Sequence, residues 1–174
     1  MLWESFAEDI GLSTVLLLTW YFGIRNFTTD KSEKKSSWIM TLLCAIVGVS
    51  SSIPVFQSFY ESHMVLDHSF LYGQGSREIV FSVRFFTTYF LIDSFFMYLH
   101  YPSICNMVSW LHHIAYFLCM GWSLAFDCSM IFAVFFPIEI STLFLASGYI
   151  LFIRLHMLSC IPQVLIHAKE NYDV

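Results

Sequence analysis

Asp93, His112 and His113 are of residue types that move protons, and all lie in the stretch 84–118, whose other side chains are mostly apolar. Ionisable groups in such surroundings are costly, so by default they mark a site. A carboxylate beside an imidazole favours the imidazolium and holds the ring in one orientation. That pair could serve as a general base on a hydroxyl or an amine. It could equally serve as a hydrogen-bonded clasp between two helices. Adjacent residues on a helix point about 100° apart, so one histidine can face Asp93 while the other faces a cavity. The same divergence argues against a shared metal ion, because helical zinc-binding pairs are spaced i, i+4. No metal site and no bound cofactor is expected.

The elements that must hold these groups are legible around them. RFFTTYFLIDSFFMYLHYPSICNMVSWLHHIAYFL reads as two apolar helices joined by a turn at Tyr101-Pro102-Ser103. Asp93 falls about 10 Å before the end of the first helix, and the histidine pair about 10 Å into the second. An antiparallel hairpin therefore brings a carboxylate and two imidazoles to one level. A later segment, FFPIEISTLFL, adds Glu139 at about 16 Å depth. Pro137 opens the backbone there, and Ser141 and Thr142 can satisfy the freed carbonyls. Glu139 lines an internal cavity or pairs with Arg84, which lies nearer the opposite end of its helix. His100, beside Tyr101, reads as an interfacial anchor. His63, His68, His156 and His167 read as ordinary loop or tail residues.

The 174-residue chain is 57% hydrophobic, 19% aromatic and 12% charged. Soluble domains are about 25% charged, so too little polar surface remains for a soluble fold. The expected fold class is all-α, a polytopic transmembrane helix bundle. A spanning helix needs about 20 mostly apolar residues. The segments 6–24, 38–60, 79–100, 106–126 and 128–152 approach that length, giving about five spans. The tail 155–174 is too short to span comfortably and reads as an interfacial or re-entrant helix broken near Pro162. Residues 1–35 form a first helix with a charged loop, 36–154 the main membrane domain. The loop 61–78 reads as a surface loop and a partial lid.

Loop 25–37 carries Arg25, Lys31, Lys34 and Lys35. With Arg154 and Lys169 this puts six basic residues on one side and Arg77 alone on the other. The positive-inside rule then sets the N-terminus outside and the C-terminus inside. No cleavable signal peptide stands out, because residues 1–9 are acidic rather than basic. A net charge of −5 without a basic stripe gives no reason to expect nucleic acid. The five cysteines show no CxxC pattern and read as small buried hydrophobes.

With these residues in view, the chain resembles a TLC domain of the TRAM–LAG–CLN superfamily. RFFTTYFLIDSFFMYLHYP is similar to the family's R-F-x-x-x-Y-F-x-x-D segment through Arg84, Phe85, Tyr89, Phe90 and Asp93. WLHHIAYFL is similar to its paired-histidine segment, and FFPIEISTLFL to its E-x-(S/T)-x-x-(F/L) segment through Glu139, Ser141 and Phe144. SSWIMTLLCAIVGV resembles the opening helix of the domain. The resemblance covers about 36–154.

It implies lipid handling inside the bilayer, with a fatty-acyl or sphingoid chain held in a polar cavity. The enzymatic version is an acyltransferase of ceramide-synthase type with acyl-CoA as substrate. The catalytic role would fall on His112, His113 and Asp93, and the cavity lining on Arg84, Tyr89, Glu139 and Ser141. Ceramide synthases carry a downstream H-D-x-x-D segment; here that region reads Glu139-Ile140-Ser141-Thr142-Leu143, closer to the smaller TLC-domain proteins. The family domain usually has a further full helix, so a membrane protein partner would cover the side left open. The rival function is a non-catalytic accessory subunit of a larger membrane complex. The resemblance implies the endoplasmic reticulum or another endomembrane, with a mitochondrial membrane as the alternative.

Overall fold

The computed structural model describes residues 2–27, 32–65, 67–73, 75–100, 102–136, 139–144 and 147–148. Among these the regular structure is all helix, with no strand. The long helices are α1 (Leu2–Phe27), α2 (Glu33–Glu61), α4 (Arg77–Leu99) and α5 (Met107–Ala125). Two single-turn helices, α3 (His68–Leu71) and α6 (Met130–Ala133), sit in the connections. The hairpin between α4 and α5 turns through one 3-10 turn, Pro102–Ile104.

Helix starts follow side-chain caps. Asn106 Oδ1 accepts from Ser109 N at 2.9 Å at the head of α5, and Asp67 Oδ1 from Phe70 N at 2.8 Å at the head of α3. Each satisfies one of the first-turn N–H groups that has no partner within its own helix. α2 runs unbroken through Pro54, which removes one hydrogen bond from its interior. Polar residues within the helices are largely self-contained. The hydroxyls of Thr14, Ser52, Thr87, Thr88 and Ser94 each donate to the carbonyl four residues back, at 2.6–3.0 Å.

α4 is the centre of the bundle and packs against α1, α2 and α5. It therefore buries side chains on more than one face, among them Ile79, Val83, Phe85, Phe86, Phe90 and Phe96. Tyr21 of α1 lies against Phe96 with ring centres 4.4 Å apart. Trp20 Nε1 donates to the Ile39 carbonyl at 2.8 Å, tying α1 to α2. Ser51 and Ser82 meet at 2.5 Å between α2 and α4. α5 is covered mainly by α4, so Leu111, Ile114, Leu118 and Trp122 stay exposed.

By length and composition α2 and α4 are apolar enough to cross a membrane. α1 and α5 are also long, with Glu8 and Asp9 in the first and His112 and His113 in the second. Against the expectation of about five spans, two such helices are found among the described residues. The segment 128–152 does not start as one long helix: α6 ends at Ala133 and a turn follows before Pro137. The remainder from 149, with the tail 155–174, lies outside the described residues. The loop after α2 docks on α6, where Met130 N donates to the Gly73 carbonyl at 3.1 Å. It belongs to the end of the bundle near the start of α4, far from Asp93.

Candidate functional site

α4 and α5 bring Asp93 and His113 face to face. His113 Nε2 lies 3.5 Å from Asp93 Oδ2, and the residues are 8% and 6% exposed. That spacing is an ion-pair contact, longer than a good hydrogen bond. On the other side of the ring, His113 Nδ1 lies 3.3 Å from Ser94 Oγ. The Ser94 hydroxyl donates to the Phe90 carbonyl at 2.6 Å, so its oxygen is left to accept from Nδ1–H. This network assigns the tautomer. Nε2 then faces the Asp93 carboxyl oxygen.

His112 points elsewhere, as adjacent helical positions require. It is exposed, and its ring lies 4.5 Å from that of Tyr116. Tyr116 stacks on Phe90 at 5.2 Å, and Phe90 presents to His113 edge to face at 5.1 Å. The two imidazoles therefore share one aromatic wall while differing in access.

These groups line a cavity of about 470 Å³. Tyr89 and Glu139 also line it, with Ser37, Thr41 and Cys44 of α2 and Cys105 of the hairpin turn. Glu139 reaches this wall through a close approach to α2. A Cβ on Gly48 would come within 2.7 Å of Glu139 Cγ and 2.8 Å of its Cβ, so glycine alone leaves the room. Of the residues the sequence singled out, five meet here: Asp93, His112, His113, Tyr89 and Glu139. Ser141 is exposed and does not line the cavity.

Arg84 is not part of this cavity either. Its partner is Asp9 of α1, at 2.6 Å from Nη1, rather than Glu139. Arg77 holds the same carboxylate, with Nη2 at 2.6 Å from Oδ1 and Nη1 against Oδ2. Asp9 was a missed residue. The signal was present: it interrupts the apolar run 6–24 at the end where Arg84 lies, and the depth matching used for Asp93 applies equally to it.

His100 is tied to α1, its Nδ1 3.0 Å from Arg25 Nη1, which also donates to the Tyr21 hydroxyl at 3.0 Å. His63 and His68 are exposed on the loop, and His68 stacks on Tyr72. Cys44 and Cys128 are buried as small hydrophobes, whereas Cys119 is exposed on α5. His156, His167 and Cys160 lie outside the described residues. Among the described residues no three His, Cys, Asp or Glu side chains converge as ligands for one ion.

The arrangement offers an exposed imidazole, a buried His–Asp contact and a carboxyl around a cavity with aromatic walls. It can orient a polar headgroup and accept a proton from it. Comparison of the chain with known protein families, curated proteins and solved structures finds no match.

Proposed function

We propose that this chain is a multi-pass membrane protein that holds a fatty-acyl or sphingoid lipid at the Asp93–His113 cavity. The observation that carries this reading is the convergence of Asp93, His112, His113 and Glu139 on one cavity with aromatic walls. The extent of exposed apolar side chain, including Leu91 and Phe95 on α4 and Leu118 on α5, supports a lipid environment. The resemblance to a TLC domain points to the same ligand class and to an endomembrane such as the endoplasmic reticulum.

In the enzymatic form the reaction is acyl transfer from acyl-CoA to a hydroxyl or amine. His112, the accessible imidazole, takes the proton of the attacking group as its bond to the acyl carbon forms. The thiolate of coenzyme A leaves as the thioester breaks. His113, held by Ser94 and Asp93, supplies a fixed proton-sharing partner on the same wall. The test is lipid mass spectrometry of the purified full chain. Wild type retains a stoichiometric lipid, and His112→Ala loses it while folding normally. Equal occupancy per folded molecule in both ends the proposal.

A second reading rests on α5. The exposed Leu111, Ile114, Leu118 and Trp122 form a face that a membrane partner would cover, as in an accessory subunit. A stable complex recovered with no bound lipid would favour it.

A further inference from the structure

A separate cavity of about 430 Å³ lies along the other half of α4. Its walls are Phe6 of α1, Arg84 and Thr87 of α4, and Phe117, Gly121 and Leu124 of α5. Arg84 is its buried cation, 6% exposed, with the Phe6 ring 5.3 Å from its Cζ. Nη1 alone forms hydrogen bonds, to Asp9 at 2.6 Å and to Ser5 Oγ at 3.4 Å. Nε is buried with no hydrogen-bond partner.

Charge balance sharpens the point. Arg77 and Arg84 share the single carboxylate of Asp9, and Arg77 engages both of its oxygens. Arg77 is half exposed and also lies near Glu8 and Glu78, whereas Arg84 is buried beside chiefly apolar walls with Asp9 as its one ion-pair partner among the described residues. A buried charge and a buried N–H without an acceptor are both costly. Asp127 also borders the cavity, but it is exposed and water screens its charge.

We infer that this cavity binds an anionic amphiphile, its oxyanion headgroup on Arg84 and its alkyl chain along Phe6, Phe117 and Leu124. The headgroup is a fatty-acid carboxylate or a lipid phosphate, which share this chemistry. Arg84 and Asp93 lie about 13 Å apart along α4, so the site stands independently of the Asp93 cavity.

The experiment uses the purified full chain in detergent, a photoreactive diazirine fatty acid, and mapping of the adducts by peptide mass spectrometry. Adducts are expected on the peptides holding Phe6 and Phe117 to Leu124. Gly121 lines the cavity and a Cβ there meets nothing within 4 Å, so Gly121→Phe directs its ring from open space into the cavity. It should abolish those adducts at an unchanged melting temperature. Arg84→Gln, and the methyl ester of the probe, should each label roughly tenfold less or weaker still. His112→Ala should label as wild type does. Unlabelled oleate and lysophosphatidate compete, and the one effective at lower concentration identifies the headgroup. Adducts only elsewhere, adducts that survive Gly121→Phe, or equal labelling by the methyl ester would each overturn the inference. If Arg84→Gln fails to fold, Gly121→Phe and the ester decide the matter.

Discussion

Helix α4 carries one buried ionic contact in each half, and the two are built differently. Near its start Asp9 is gripped by two guanidiniums, with Arg77 across both carboxylate oxygens and Arg84 at 2.6 Å. Near its end Asp93 meets His113 at 3.5 Å, on the wall of a cavity that the accessible His112 also lines. The first contact is short and multiply bonded, as expected where a charge serves to hold two helices together. The second is long and lies on the cavity wall beside the exposed His112. Similar residue types on one helix thus make a short three-way contact near its start and a long two-way contact near its end.

That division is easiest to break at Asp9. Asp9→Ala leaves Arg84 buried without its acceptor, and thermal or denaturant unfolding in detergent should show a loss of about 3–5 kcal/mol. A loss below about 1 kcal/mol would mean that the trio is not a fastening. Next comes the seat of Glu139. Gly48→Ala forces a Cβ into the Glu139 side chain and should cost about 1–3 kcal/mol, measured the same way, with lipid occupancy falling as the carboxyl is displaced. An unchanged occupancy would remove Glu139 from the site. Asp93→Asn should lower stability by only about 1 kcal/mol, because the contact it removes is long. If it proved as destabilising as Asp9→Ala, the two halves of α4 would be alike after all.

The smallest effect concerns His100, at the foot of α4. Burial, then the Arg25 guanidinium, holds its pKa below the ordinary histidine value of 6.5. The unfolded chain therefore binds this proton more readily. The stability it contributes is complete above about pH 6.5 and is lost as pH falls through the lower folded value. Melting curves at about pH 7.5 and about pH 5 should show a smaller acid-induced drop for His100→Gln than for wild type.

The four long helices could be read from apolar run length, and the meeting of Asp93 with His113 from equal depth in an antiparallel hairpin. Rise per residue fixes depth, and helical periodicity fixes that two adjacent histidines diverge, but neither fixes which one turns inward or what its neighbour is. The sequence therefore left Glu139 as one candidate partner for Arg84, where the structure supplies Asp9 of α1. Nor does a linear pattern reveal that Gly48 lets Glu139 approach α2, because that contact joins residues far apart in sequence. The break before Pro137 was legible as a kink, but its depth depends on the turn at 134–136 that precedes it.

The hydroxyls bonded back onto their own helices have a consequence for how such a chain drifts over evolutionary time. Thr14, Ser52, Thr87 and Thr88 place their protons on carbonyls that already have helical partners. Replacing one with alanine or valine strands no donor elsewhere, so each position is free to change alone. Asp9, Arg77 and Arg84 hold one another's charges, and a change in one selects for a change in another. Descendants of this chain would keep its polarity in linked sets while losing much of the rest, and paired replacement is what to look for in them.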